Sequence, residues 1–349
     1  MHSPRSLSFV VAILLPVVAA IAYAVFWFVM ANRVEAGIAR WEEERRAEGW
    51  TVSHGAIARG GFPFAMELGM PKPELRRGGD QPLAWRGEFL SASIKPWAIH
   101  DLTFRFPGKH LLEIPAGGKS RLMEVVMRDA TLDLRVDERG RTLAAALNFA
   151  GFDARFPDNG DRYQIETARL AMRRHPMDPA QPAALSYETD SRIERLIVPP
   201  AQAGVMGQEI ALIASLANVM GPPPGGPTAA AVTAWRDAGG YLEVKDYQMS
   251  WGKLQIQGAG TARLDAQLQA LVHLDGRVRG GDALIDALVM DRQLTFPEAL
   301  LAKGALFALQ RPAEDGGAPY LRLAISIRDG NRLYLGPVRI ARLPPLQWR

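Results

Sequence analysis

Three groups of residues in this chain have types and spacings that chemistry can use. Gly117-Gly118-Lys119-Ser120 has the close of a phosphate-binding loop, in which backbone amides and a lysine cradle phosphate. Asp129 with Asp133, and Asp282 with Asp286, are carboxylate pairs of the kind general acid–base catalysis employs. His54, His100, His110, His175 and His273 are candidate metal ligands.

The surrounding sequence argues against each. Glu113 stands where a phosphate loop needs its first glycine and Pro115 removes an amide donor, so 117–120 reads as a hairpin turn. Asp133 alternates with Leu132 and Leu134 and is expected to face solvent, while Asp282 is explained as a helix cap. None of these histidines has another within five residues, so each reads as a polar surface or turn residue. The absence of cysteine excludes disulfides, thiolate zinc sites, iron–sulfur clusters and a cysteine nucleophile. Gly-x-Ser-x-Gly, His-Glu-x-x-His, an EF-hand loop and a Gly-x-Gly-x-x-Gly before a helix are all missing. The expectation is a protein that is not an enzyme, with no catalytic residue, no cofactor and no metal. With 41 Lys plus Arg against 37 Asp plus Glu, a net charge of +4 provides no concentrated basic stripe, so no nucleic-acid partner is expected.

The elements that frame these residues begin with a membrane segment. Residues 7–31 carry no charge, and 25 helical positions span roughly 37 Å, enough for a hydrocarbon core of about 30 Å. Tyr23, Phe26, Trp27 and Phe28 cluster toward one end as an interfacial aromatic belt, and with Trp41 form the expected membrane-interface anchor. Ala20-Ile21-Ala22 and Ala22-Tyr23-Ala24 offer signal-peptidase-like sites, but the apolar stretch 25–31 follows where a cleaved protein turns polar. The segment is read as a retained, single-pass transmembrane helix. Arg33, Arg40, Arg45 and Arg46 outnumber Arg5 on the other flank, yet long domains translocate largely regardless of charge. The short tail, 1–6, is placed in the cytoplasm and the bulk of the chain in the periplasm.

Beyond the bilayer, Val34, Ile38 and Trp41 continue an amphipathic helix through 32–48, stopped at Gly49. The charges of 42–46 read as a solvated face. From Trp50 the dominant period is two: Leu102, Phe104, Phe106; Leu132, Leu134, Val136; Leu143, Ala145, Leu147, Phe149; Leu268, Ala270, Val272, Leu274; Leu321, Leu323, Ile325, Ile327. Turns at 137–140, 157–160 and 329–331 separate them. Helices are expected over 205–220, 228–238, 282–290 and from Pro297 to Leu309. The fold class is α+β and β-rich: an N-terminal transmembrane helix, then a large curved antiparallel sheet of meandering hairpins with a few amphipathic helices. The Pro/Gly run 221–227 is the expected linker between an N-terminal β-rich region, 49–220, and a C-terminal strand-helix-strand region, 228–349, whose strands can share one sheet.

One further block stands out. Gly60-Gly61-Phe62-Pro63-Phe64 joins a flexible turn to two aromatics around a fixed-φ proline, with Met66 and Leu68 following at strand spacing. It reads as a bend with Phe62 and Phe64 packed inside; the functional alternative makes Phe62, Pro63 and Phe64 part of an apolar groove.

The order of membrane helix, amphipathic extension, Gly49-Trp50-Thr51-Val52, Gly61-Phe62-Pro63-Phe64, Pro71-x-Pro73, Trp85 and Pro96-Trp97 resembles domain-of-unknown-function family 2125 of Gram-negative cell-envelope proteins. That resemblance carries over no catalytic residue. The C-terminal half, in Leu254-x-Ile256-x-Gly258-Ala259-Gly260, Leu268-x-Ala270-x-Val272-x-Leu274-x-Gly276 and the ending from Ile325 through Pro337, resembles the strand pairs of AsmA-like envelope proteins. The second resemblance implies an elongated apolar groove that handles phospholipid. Two functions follow as expectations. One is a periplasmic envelope protein of the inner membrane that binds or organises lipid in an apolar β-groove. The other is an anchored protein–protein interaction module with a closed core, whose partner is another envelope protein.

Overall fold

The computed structural model describes the chain except residues 1–3, 80–81, 117–118, 177–183, 201–206, 223–227, 291–294, 313–318, 337, 343–344, 347 and 349, with side chains described from Ala22 onward save a few near 115–119, 284–288 and 333–342. The chain is β-rich and divides into two compact units, Met1–Arg139 with Phe156–Gly160, and Gly140–Arg155 with Asp161–Arg349.

The first unit opens with one long helix, α1 (Pro4–Ala47), and Gly49 takes the left-handed conformation (φ 84°) just after it, as a helix stop requires. The part of the expected span up to residue 21 lies outside the described side chains. Among the described residues no helix is long and apolar enough to cross a membrane. Nine strands follow: β1 (Trp50–Ser53), β2 (Ala58–Gly60), β3 (Met66–Pro71), β4 (Glu74–Arg77), β5 (Leu83–Gly87), β6 (Phe89–Lys95), β7 (Ala98–Arg105), β8 (Gly108–Ala116) and β9 (Lys119–Val136). All their pairings are antiparallel. The long strand β9 is the spine. Its first half pairs with β8, from which the ladder continues through β5 and β4 to β1. Its second half pairs with β7, from which the ladder continues through β6 and β3 to β2.

The alternation read from the sequence is realised in this register. Leu102 faces Leu134 and Phe104 faces Leu132, while Thr103 faces Asp133 and donates to its carboxylate (2.7 Å) on the exposed side. Asp101 pairs with Arg135 there in a two-pronged contact that holds the carboxyl below its usual range. The two faces therefore differ as a half-buried antiparallel sheet demands.

The second unit is a simple meander. It comprises β10 (Thr142–Arg155), β11 (Arg162–Arg174), β12 (Leu185–Ile197), β13 (Glu209–Met220), α2 (Ala229–Asp237), β14 (Tyr241–Trp251), β15 (Leu254–Leu264), β16 (Ala270–Arg279), α3 (Gly281–Met290), α4 (Phe296–Leu309), β17 (Leu321–Arg328), β18 (Arg332–Leu335) and β19 (Val338–Arg342). Each strand pairs antiparallel with the next. The core cluster of Leu254, Val278 and Leu321 is joined by Ile256, Leu323 and, from α4, Leu306.

One expectation is corrected. Residues 209–220 are strand β13, with Ile213 opposite Ile193 of β12 and Met249 of β14. A short apolar run fits both periods, and two ladders of backbone hydrogen bonds decide for the strand. The first compact unit runs to Arg139 and takes up Phe156–Gly160, and β13 and β14, on either side of the 221–227 run, pair directly in one sheet, Met220 against Tyr241. Residues 223–227 themselves lie outside the described residues. The other three helices form as expected: Thr228 caps α2, and Thr295 with Glu298 makes a capping box on α4, with Pro297 in its first turn. Asp282 stands inside the first turn of α3 instead of capping it.

The glycines of β15 and β16 have a packing reason. Tyr247, Gly258 and Gly276 are in register across three strands, and a Cβ on Gly258 would meet the Asp275 carbonyl at 1.9 Å and the Tyr247 ring at 2.8 Å. The tyrosine ring lies over both glycines. Gly258→Ala is accordingly expected to destabilise the second unit by about 1–3 kcal/mol, read as a lowered denaturation midpoint. An unchanged midpoint would refute this packing.

Candidate functional site

An apolar cavity of about 690 Å³ lies between α1 and the sheet of the first unit. The sheet supplies rows fixed by register: Met66, Ile94, Leu102 and Leu134 lie across β3, β6, β7 and β9, and Ala92, Phe104 and Leu132 form the next row. Leu75 and Trp85 come from the other branch of the ladder. α1 closes the opposite wall with Val34, Gly37, Ile38 and Trp41. The helical stripe that the sequence presents beyond the uncharged run 7–31 is thus a cavity wall. Trp41 lines the cavity yet stays 45% exposed, so the cavity communicates with the surface there. At the other end Trp27, Ala31, Met66 and Ile94 pack into a closed cluster.

Protein interiors hold few voids larger than a water molecule, whereas ligand pockets fall in the range of roughly 300–1,000 Å³ and are mostly apolar. The size and apolar lining of this cavity fall within that range. Its polar groups are Glu42, Ser53, His54 and Glu74. Glu74 is held by Arg86 at 2.9 Å. Glu42, only 8% exposed, sits between Arg46 (2.7 Å) and His54 (2.6 Å). Within the charged run 42–46 it is therefore a buried bridging carboxylate, and the solvated-face reading holds for Glu43 and Glu44 but not for Glu42.

The two histidines beside this cavity are shifted in opposite directions. His54 presents one ring nitrogen to the Gly55 carbonyl (2.6 Å) and the other to Glu42, two acceptors that both require a proton on the ring. The Gly55 carbonyl first, and then Glu42, hold its pKa above 6.5 despite partial burial. His110 is 2% exposed and stacks on Trp85, with ring planes 13° apart. Its Nε2 donates to the Phe106 carbonyl (2.8 Å) and its Nδ1 accepts from the Trp85 indole (3.3 Å), the pattern of a neutral ring. Burial lowers its pKa. His110 is thus a core residue, against the surface reading. A raised folded pKa stabilises fully below 6.5 and fades as pH rises through the folded value; a lowered one stabilises above 6.5 and fades as pH falls. His54→Gln is expected to lower the thermal midpoint at about pH 5.5 by the equivalent of roughly 1 kcal/mol, and much less at about pH 8. Equal losses at both pH values would contradict a charged His54.

The bend at 60–65 forms, with a cis Phe62–Pro63 bond, but its aromatics are not inside: Phe62 is 53% and Phe64 73% exposed. Neither they nor Pro63 line the cavity. The bend packs on α1 instead. Phe62 meets Trp27 edge-on (5.6 Å), Tyr23 (6.4 Å) and Phe28 (6.5 Å), the Tyr23 hydroxyl donates to the Pro63 carbonyl, and the Trp27 indole donates to the Ala65 carbonyl (2.8 Å). Of the expected anchor residues, Trp27 is buried while Phe26 and Phe28 are exposed. Asp129 and Asp133 are exposed on a strand, Asp286 pairs with Lys303, and among the described residues no three metal-ligating side chains converge. Gly117 and Gly118 lie outside the described residues, and the strands flanking them pair as a hairpin from Ala116 and Lys119.

Residues 27–344 match the model of a family described as an uncharacterized protein conserved in bacteria, domain-of-unknown-function family 2125. The chain belongs to this family. The match begins at Trp27, so what defines family 2125 here includes the second half of α1, the bend it holds and the whole cavity. No curated protein and no solved structure matches the chain. The AsmA-like resemblance of this family-2125 chain therefore rests on its strand and glycine pattern alone.

Proposed function

We propose that this chain is a non-enzymatic protein of the bacterial envelope, anchored in the inner membrane by residues 7–31 with its bulk in the periplasm, which binds a lipid acyl chain in the cavity of its first unit. The cavity carries this reading: its wall is built of Val, Ile, Leu, Met and aromatic side chains from α1 and seven strands, with charge confined to Glu42, His54 and Glu74. Each buried methylene contributes about 0.8 kcal/mol, so ten would gain roughly 8 kcal/mol before the costs of association.

The second reading, an anchored interaction module, draws on a different observation. On α4, Phe296, Leu300, Leu301 and Phe307 are 64–80% exposed, an apolar surface of the sort that marks interaction sites. That reading needs a closed core, which the first unit does not have. Native mass spectrometry of the full chain, extracted in mild detergent, separates the two. Lipid binding predicts a phospholipid or fatty-acid adduct near one per protein. Repeated recovery of lipid-free protein would favour the interaction module.

A further inference from the structure

We propose that the bend 60–65, together with the turn carrying Trp97, is a second membrane contact of the first unit, seated in the interfacial layer of the bilayer beside α1. This rests on reading residues 7–31 as the membrane anchor.

Two chain segments far apart in sequence change from apolar to charged at the same level. On α1 the uncharged run ends at Ala31, and Asn32, Arg33 and Glu35 follow. On the bend, residues 60–66 are uncharged and Arg59 precedes them. These borders coincide in space. The apolar Phe62 and Pro63 lie against Tyr23, Trp27 and Phe28, whereas Arg59 reaches Asn32 (2.9 Å) and pairs with Glu35, one to two turns further along the helix. A helix that places Tyr23 and Phe28 in the interface must therefore place Phe62 and Phe64 there too.

The bend is also held rigidly enough to stay at that depth. Gly61 has φ 87°, and a Cβ on it would meet the Ala65 carbonyl at 2.6 Å, so the chain turns tightly between two hydrogen bonds from α1. The tip that this presents, Phe64, is 73% exposed. A second aromatic arrives at the same end of the sheet. Met66, where β3 begins, is opposite Ile94, where β6 is about to end, so the turn after Lys95 lies beside the bend and exposes Trp97 by 66%. Aromatic rings at the boundary of an apolar helix are the composition of a bilayer interface, where amphipathic and aromatic groups are most at home.

The chain contains no cysteine, so Phe64→Cys, Trp97→Cys, Val25→Cys and Glu43→Cys each provide a single thiol at an exposed position. Each variant of the full chain is labelled with an environment-sensitive fluorophore and reconstituted into vesicles of phosphatidylethanolamine and phosphatidylglycerol, with and without spin-labelled lipid. Labels at 64 and 97 are expected to be quenched by the lipid nearly as well as at 25 and severalfold more than at 43, whose position on α1 is beyond the charged border. Quenching at 25 with none at 64 or 97 overturns the second contact and leaves the anchor standing. Absence of quenching at 25 as well removes the anchor and this inference with it. Phe64→Asp provides the folded control: with an exposed side chain it is expected to keep the wild-type thermal midpoint in detergent and to lower the quenching of a label at 97 by spin-labelled lipid.

Discussion

Gly37→Phe is expected to make the protein more stable and less able to carry lipid. Gly37 lies mid-helix on α1, lines the cavity, and a Cβ built on it meets nothing within 4 Å. Replacing a helical glycine gains about 0.5 kcal/mol in propensity for an aromatic residue, and burying the ring adds about 2 kcal/mol. For a unit of this size a gain of about 2 kcal/mol raises the thermal midpoint by roughly 4–8 °C, measured on delipidated protein so that ligand stabilisation does not intervene. The ring takes space from the proposed acyl chain. Excluding two methylenes costs about 1.6 kcal/mol, a loss of more than about tenfold in affinity, visible as a diminished lipid adduct in native mass spectra. The two effects have opposite signs, which separates an occluded binding site from a damaged fold. Higher stability with undiminished lipid would show that the adduct sits elsewhere, and lower stability would show that the cavity is not open at Gly37.

Trp27→Ala is expected to have the largest destabilising effect. Trp27 is 3% exposed, packs with Ala31, Met66 and Ile94, and donates to the Ala65 carbonyl at 2.8 Å. Truncating a buried tryptophan costs about 3–5 kcal/mol, through lost burial and the void left behind. Trp27→Phe retains most of the apolar bulk and removes the indole donor, so about 1–2 kcal/mol is expected from the hydrogen bond alone. Denaturant titration of the two variants in detergent measures both losses. The consequence reaches function, because Met66 and Ile94 line the cavity as well as contacting Trp27. Limited proteolysis should find the bend 60–65 newly accessible in Trp27→Ala, since the same side chain meets Phe62 edge-on. A loss below about 1 kcal/mol in Trp27→Ala would mean that the bend and sheet hold together without α1.

How much of this was legible before folding differs by element. The alternation at Leu102, Phe104, Leu132 and Leu134 predicts strands correctly, because side-chain direction in a strand depends only on the backbone period of two. It does not reveal that these four residues meet in two rows on one cavity wall, since that depends on the register of β7 against β9. The stripe Val34, Ile38 and Trp41 shows that α1 needs an apolar partner beyond residue 31 but not which one. His110 offers no local sign of burial; it is stacked on Trp85, 25 residues away, and its pKa is lowered by burial, both set by tertiary structure. The run 209–220 misleads in the other direction, because short apolar stretches satisfy helical and strand periods alike until neighbouring strands supply their ladders.

For the bend at Phe62 and Phe64, composition correctly identifies the turn and its aromatics, but their outward placement follows from long-range contacts with Tyr23 and Trp27 about 40 residues earlier. By itself the sequence determines the properties that are local: the uncharged run 7–31, the strand period, the first-turn proline of α4, and membership of family 2125 from residue 27 to 344. Only the tertiary structure decides that α1 and the sheet of the first unit stand apart far enough to leave about 690 Å³ between them, and that Glu42 and His54 share its edge. Periodicity specifies which face of an element is apolar, and a closed core and an open cavity are lined by the same apolar faces; the distance between those faces is set by packing elsewhere, here the Trp27 cluster and the bend it holds.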